Sequence, residues 1–278
     1  MRILVLGGKG MAGHMLVDYL KHRTGHEVAF TARDTDDPQG FLWDAADLPG
    51  IERLIERIRP DAVINAIGIL NDHAARNEET AFYVNGLLPH HLRRISERAG
   101  AKLVHISTDC VFSGEKGDYE ESDLPDGTSV YARSKAMGEV RSPLHLTIRT
   151  SIIGPEIRES GIGLFAWFMK QEGVVKGYTH SIWNGVTTLQ LAKSAIWMIE
   201  NDVSGLYHLT APEKASKYEL LRMFQQTFGK EDVTIVPDDV LRLDRTLRNT
   251  RLDEAQAHAV PSLSAMLNEM RDWMEGNR

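Results

Sequence analysis

Short apolar runs alternate with longer amphipathic stretches along the first half of the chain. Residues 2–6, RILVL, form a continuous β-favouring run that stops at glycine, the pattern of a strand buried on both faces of a parallel sheet. Next, Met11, Met15, Leu16, Tyr19 and Leu20 recur at spacings of three and four, which predicts a helix with that inner face. HEVAFTARD predicts a second strand, IERLIERIR a helix with Ile51, Leu54, Ile55 and Ile58 on one face, and DAVINAIG a third strand. NEETAFYVNGLLPHHLRRISERAG predicts a long helix kinked at Pro89, because proline has no amide hydrogen and crowds the preceding turn. KLVHIST, SVYARSKAMGEV and LHLTIRTSII continue as strand, helix and strand. Repeated units of this length place the chain in the α/β class, with a Rossmann-type, doubly wound parallel sheet.

Past Gly154 and Pro155 the rhythm changes. The helical patterns GLFAWFMKQ, TTLQLAKSAIWMIEN, KYELLRMFQQTFG and PSLSAMLNEMRDWM alternate with the strand-like pieces GLYHLT and DVTIVP. This divides the chain into a dinucleotide-binding domain, residues 1–154, and a smaller α/β substrate lobe, residues 155–278, with a soft boundary and chain crossings between them. Ligands of open α/β sheets bind outside the carboxyl ends of the strands, so the site is expected between the lobes.

The composition narrows the partners. With 278 residues, 42% hydrophobic and 26% charged, the chain is long enough to bury a sizeable core and matches ordinary globular domains. The net charge of −7, with basic and acidic residues interleaved, offers no stripe for nucleic acid. A single cysteine excludes an internal disulfide framework and fits a reducing compartment. MRILVLGGKG lacks an apolar segment of signal length and no 18-residue apolar span follows, so a cytoplasmic protein without a membrane partner is expected. His90 and His91 belong to no metal-ligand spacing, and no metal is expected.

The turn GGKGMAG sets Gly7, Gly10 and Gly13 three apart, directly after the first strand and at the start of the first helix, which Met11 opens. The first glycine makes the tight turn, the second lets backbone approach a pyrophosphate, and the third allows close helix–strand packing. A glycine-rich turn without a ligand is the bland alternative. At the end of the second strand stands TARD. Arg33 there suits a 2′-phosphate and favours NADPH, while the adjacent Asp34 keeps NADH as the alternative. Arg33 as a solvated strand-end residue is the competing reading.

YARSK places Tyr131 and Lys135 on one helix face. A neighbouring ammonium and the positive nicotinamide ring are both expected to favour the phenolate and lower the tyrosine pKa, and the lysine can also hold ribose hydroxyls. By itself the pair is commonplace. Here it follows a strand ending in STD, with Thr108 lying 23 residues before Tyr131.

Taken together, the glycine turn, STDCVFSG, YARSK followed by GE, and a late RNTRLD resemble the extended short-chain dehydrogenases/reductases, specifically the dTDP-4-dehydrorhamnose reductase group, over nearly the whole chain. The resemblance implies a catalytic triad of Thr108, Tyr131 and Lys135, with Asn85 in YVNGLLP supporting the lysine and a proton relay. It implies that Asn65, Ala66, Ile67 and Gly68 line the cofactor and that Asp44 lies near the adenine, where a capping or loop aspartate is the alternative. The implied reaction is reduction of the C4 ketone of a nucleotide-linked 4-keto-6-deoxy sugar, dTDP-4-dehydrorhamnose or a related UDP-linked acetamido sugar, for deoxysugar and polysaccharide biosynthesis. Hydride passes from the nicotinamide to the carbonyl carbon, Tyr131 donates a proton, and Thr108 hydrogen-bonds the developing alkoxide. Family members are often dimers, which makes a homodimer the expectation.

Two departures bear on the substrate. Cys110 stands where the group commonly has a tyrosine, so the sugar is expected to differ; no histidine-based activation motif surrounds the thiol, which is read as lining a pocket rather than as a nucleophile. GYTHSIWNGVTTLQLAK replaces a short loop, and its Trp183 and Asn184 are expected to meet sugar or nucleotide, with a core role the alternative for Trp183. In RNTRLD, Arg248 or Arg251 is expected to meet a phosphate, or else to cap a helix. The rival readings are a nucleotide-sugar epimerase, a 4,6-dehydratase, which usually carries a glutamate where Cys110 stands, and a non-catalytic dinucleotide-binding regulatory subunit.

Overall fold

The computed structural model describes residues 1–35, 37–157 and 161–276. Strand β1 (Arg2–Leu6) buries Ile3, Leu4, Val5 and Leu6, so both faces of the pleat are covered, as a continuous apolar run demands. Helix α1 (Met11–Arg23) leads to β2 (Glu27–Ala32) and β3 (Gly40–Leu42), and α2 (Leu48–Ile58) to β4 (Ala62–Asn65). Asp47 caps α2 by accepting the Gly50 amide at 2.9 Å.

The long helix expected before the next strand divides into α3 (Asn71–Arg76), α4 (Glu78–Ala81), a π-helical turn Phe82–Leu87 and α5 (Leu88–Ala99). Pro89 follows Leu87 and Leu88, which are already helical, so the proline withholds an amide from the turn before it, where the ladder has shifted to π bonding. The interruption therefore lies upstream of the proline, in the π turn that carries Asn85. β5 (Lys102–Ile106), α6 (Val130–Met137) and β6 (Leu146–Arg149) follow. The strand expected through LHLTIRTSII breaks after Arg149, and β7 (Ile152–Ile153) leaves the main sheet.

The remainder runs α7 (Leu164–Met169), β8 (Gly173–Trp183), β9 (Val186–Thr187), α8 (Thr188–Glu200), β10 (Gly205–His208), β11 (Ala215–Ser216), α9 (Lys217–Phe228), β12 (Val233–Asp244), α10 (Leu252–Ala257) and α11 (Leu263–Met274). The main sheet of the described residues has the order β3-β2-β1-β4-β5-β6-β10 with every pairing parallel, the doubly wound arrangement that the alternation predicted. Its order reverses between β1 and β4, and the crevice outside their carboxyl ends is where such sheets bind ligands.

β10 comes from the second half of the chain yet pairs with β6 in the main sheet. Leu16 and Leu20 of α1 share one apolar cluster with Leu191 and Ala195 of α8, Phe224 of α9 and Trp273 of α11. Residues on both sides of position 154 thus build a common core. The segment GYTHSIW, which stands where the resembling group has a short loop, is the end of β8, which pairs parallel with β12 and antiparallel with β11. The signal was its alternation: Val175, Gly177, Ser181 and Trp183 are buried, with exposed or half-buried residues between.

Candidate active site

A cleft of about 830 Å³ opens at the carboxyl ends of the central strands. At one end lies the glycine turn. Gly7 adopts φ +83°, a left-handed value, and a Cβ on Gly13 would lie 2.0 Å from the Gly7 carbonyl oxygen, so turn and helix touch backbone to backbone. Gly7, Gly10 and Met11 line the cleft, whereas Gly13 sits beneath it and shapes the turn. Arg33 lines the same end together with Lys9, a cation inside the glycine turn that the sequence reading passed over. Asp44 also lines it, and its carboxylate accepts the Ala46 amide at 2.9 Å in a local turn.

Ala66, Ile67 and Gly68 form part of the wall; Asn65 does not. Fully buried, Asn65 accepts the Ile67 amide at 3.2 Å and donates to His105 Nδ1 at 3.1 Å, which holds the loop after β4. Asn85 lies behind the wall as well. Its Oδ1 accepts the Ile69 amide at 2.8 Å, and its Nδ2 donates to the Ile69 carbonyl at 2.9 Å and to Ser134 Oγ at 3.1 Å. It therefore ties the loop to α6, and its side-chain bonds go there rather than to Lys135.

Thr108, Tyr131 and Lys135 converge on the other end of the cleft. Thr108 caps a short helical turn, Asp109–Val111, by accepting the Cys110 amide at 3.1 Å, and its hydroxyl donates to Asp109 Oδ1 at 3.1 Å. Ser129 starts α6 by accepting the Ala132 amide, which sets Tyr131 and Lys135 on the face toward the cleft. Lys135 is 4% exposed; its Nζ donates to the Ile106 carbonyl at 2.7 Å and lies 3.5 Å from His105 Nε2. Burial lowers its pKa to about 8, with the Glu139 carboxylate opposing.

Without a cofactor, Tyr131 is governed by its burial. Burial raises its phenol above the usual value, the Cys110 and Asp109 side chains add to that, and the Thr108 hydroxyl opposes. Lys135 is not among the groups that act on the phenol, and its ammonium donates to the Ile106 carbonyl at the end of β5.

Three further groups bear on this end: Asp109 in its wall, and Lys217 and Arg245 behind it. Asp109 is pushed up by burial, with Lys217 the first of the groups that oppose. Lys217, the first residue of α9, is held down to about 8 by burial, with Asp109 opposing, and its ammonium lies 5.2 Å from the centre of the Trp183 ring. Arg245 Nη1 donates to Cys110 Sγ at 3.5 Å. The Cys110 thiol is pushed up to about 12 by burial and the Asp109 carboxylate.

Trp183, Asn184 and Arg248, expected at the substrate, lie outside the cleft. Trp183 is 3% exposed and belongs to the shared core. Asn184 clamps Leu247, donating to its carbonyl at 2.7 Å and accepting its amide at 3.1 Å. The Arg248 side chain is 66% exposed and pairs with Glu120 at 3.2 Å, and Arg251 is taken up by Glu254 and the Ser204 carbonyl. His90 is bonded to the Met137 carbonyl, and among the described residues no group of three or more His, Cys, Asp or Glu side chains is arranged for a metal. No helix of the described residues is long and apolar enough to cross a membrane.

Residues 1–268 match the family described as RmlD substrate binding domain. The dTDP-4-dehydrorhamnose reductase of Mycobacterium tuberculosis (strain ATCC 25618 / H37Rv) is 37% identical over 144 residues, 50% of this chain, and the match spans only 44% of that relative. The dTDP-4-keto-6-deoxy-D-glucose reductase of Streptomyces niveus is 28% identical over 251 residues, 86% of this chain and 83% of that one. In fold, the chain is similar to the crystal structure of a dTDP-4-dehydrorhamnose reductase from Bacillus anthracis in complex with NADP, at a TM-score of 0.84 and 20% identity over 99% of each chain.

Proposed function

The chain belongs to the RmlD substrate binding domain family, and from that premise we propose that it reduces the C4 ketone of a nucleotide-linked 4-keto-6-deoxy sugar, with NADPH as preferred reductant. The observation that carries the reading is the convergence of Thr108, Tyr131 and Lys135 at one end of a cleft whose other end holds the glycine turn, Lys9 and Arg33. The relatives named above act on dTDP-linked 4-keto sugars by their names, which supports a nucleotide sugar as substrate.

The residues fit a dinucleotide. The close contact of Gly13 with Gly7 keeps a low-profile turn at the start of α1, whose free amides suit a pyrophosphate. Lys9 and Arg33 supply cations for a 2′-phosphate, and NADH, through Asp34, is the alternative. Bound there, the cofactor supplies the hydride. Lys135, with one N–H on the Ile106 carbonyl, keeps two for ribose hydroxyls. Tyr131, kept protonated by its buried setting, is in the state that reduction requires and passes its proton to the former carbonyl oxygen. Thr108 turns its hydroxyl from Asp109 to that oxygen. Residues 1–154 carry the cofactor in this reading, and the part beyond 154 backs the sugar end, where Lys217 and Arg245 act on Asp109 and Cys110. The enzyme works in the cytoplasm, as a homodimer.

The test is NADPH oxidation with dTDP- and UDP-linked 4-keto sugars. Tyr131→Phe is expected to lose turnover by about 10²- to 10⁴-fold while still binding NADPH. Full activity in that variant refutes the assignment. No oxidation across the panel favours a binding module, and a nicotinamide that copurifies and survives dialysis favours an epimerase.

A further inference from the structure

The turn that carries Thr108 is tied into a buried chain of polar groups that the proposed chemistry does not use. Ser107 Oγ donates to Glu139 Oε1 at 3.0 Å. Arg149, at the end of β6, grips the same carboxylate with Nε at 2.6 Å and Nη2 at 2.7 Å. The side chains of Arg149 and Glu139 are 0% and 2% exposed. Arg149 Nη1 donates onward to His208 Nε2 at 3.2 Å, and the ring's Nδ1–H donates to the Arg248 carbonyl at 3.0 Å, which specifies a neutral imidazole. Asn249 donates to the His208 carbonyl at 2.8 Å. Glu121 closes the chain by accepting the His208 amide together with the amide and hydroxyl of Thr250. From the same late segment, Arg245 donates to Cys110. Residues 107 to 110 are thus held at the first position through the ion pair and at the last through Arg245.

Stability alone is a poor reason for such a pair. Two charges this deep lose hydration that their attraction only partly returns, and apolar residues of equal volume often serve the fold as well. The best-attested use of a buried polar pair is registry. Registry is what this turn needs, because Thr108 follows β5 while Tyr131 sits on α6, separated by 23 residues of chain. Glu139 lies just past α6 and reaches Ser107 beside Thr108, which makes it a direct non-covalent tie between the two.

We infer that Glu139 and Arg149 are positioning residues that fix Thr108 relative to Tyr131, and that the RNTRLD segment anchors this chain through His208 rather than binding phosphate. The inference rests on the assignment of Thr108 to the ketone oxygen. Catalytic groups must be held to about 0.5 Å, so a turn released at Ser107 loses rate before it loses fold.

The test uses the full chain. Ser107→Ala deletes one hydroxyl and leaves the ion pair whole; it is expected to lower kcat about tenfold, with NADPH affinity and Tm close to wild type. Glu139→Gln is expected to lower kcat as well, and adding Ser107→Ala to it should change kcat by less than about twofold, since both act through one tie. A crystal structure of Ser107→Ala should show Thr108 Oγ displaced from its wild-type position relative to the Tyr131 hydroxyl. Variants that shift Tm but keep wild-type kcat, or a Ser107→Ala structure with Thr108 unmoved, overturn the inference. A wild-type chain inactive on every 4-keto sugar nucleotide fails the function reading instead, and the position of Thr108 still decides this one.

Discussion

Replacing Lys135 by methionine should separate stability from function. The ammonium titrates near 8 inside the folded protein instead of near 10.5, because it is buried. Each tenfold change in proton affinity is about 1.4 kcal/mol, so at neutral pH the charged lysine costs the fold about 3 kcal/mol. Methionine keeps most of the stem without the charge and loses the bond to the Ile106 carbonyl, worth about 1 kcal/mol. The variant should therefore be more stable by about 2 kcal/mol, or about 4 °C in Tm for a chain of this size. The sign with pH follows from a depressed lysine: the cost is complete below about pH 8 and disappears as pH rises toward 10.5, where the unfolded chain also loses its proton. The gain should shrink over that window and reverse above it, since only the wild type keeps the hydrogen bond. Melting of the cofactor-free proteins by circular dichroism at neutral and alkaline pH measures this, and NADPH oxidation should fall by at least about 10²-fold in the variant. A variant that melts below wild type at neutral pH, or a difference that ignores pH between 8 and 10.5, would refute the reasoning.

Cys110, its thiol pushed up to about 12, should react with iodoacetamide at mildly alkaline pH about 10³-fold more slowly in the native protein than after denaturation, read by mass spectrometry. Equal rates would show that the thiol is neither buried nor shielded. The same shift, upward from 9, contributes stability that is present below that value and lost as pH climbs toward 12. Arg33→Ala should weaken NADPH by about 10- to 100-fold and leave NADH nearly unchanged in a fluorescence titration, and an equal loss for both cofactors would remove Arg33 from the 2′-phosphate.

Much of the geometry of the candidate site was legible in the sequence because its rules are local. A buried strand, a left-handed glycine and a helix packed against the turn specify β1, Gly7 and α1 within a few residues. The spacing of Tyr131 and Lys135 likewise puts both on the face of α6 that meets the cleft. The alternation of strands and helices sufficed for the parallel sheet, since each crossover of that length has one favoured hand and place. What local pattern does not contain is which distant side chains share a buried volume. Lys217 and Arg245 reach Asp109 and Cys110 from the far part of the chain only because β8, β11 and β12 pair beside the main sheet, and that pairing also takes Trp183 into the core. The state of Tyr131 depended on tertiary structure in the same way. Spacing predicted a lysine that lowers its pKa, whereas the packed protein gives that ammonium to the Ile106 carbonyl and leaves burial to act on the phenol. Periodicity assigns a residue to a face; desolvation and partner choice are settled only when the whole chain has closed around it.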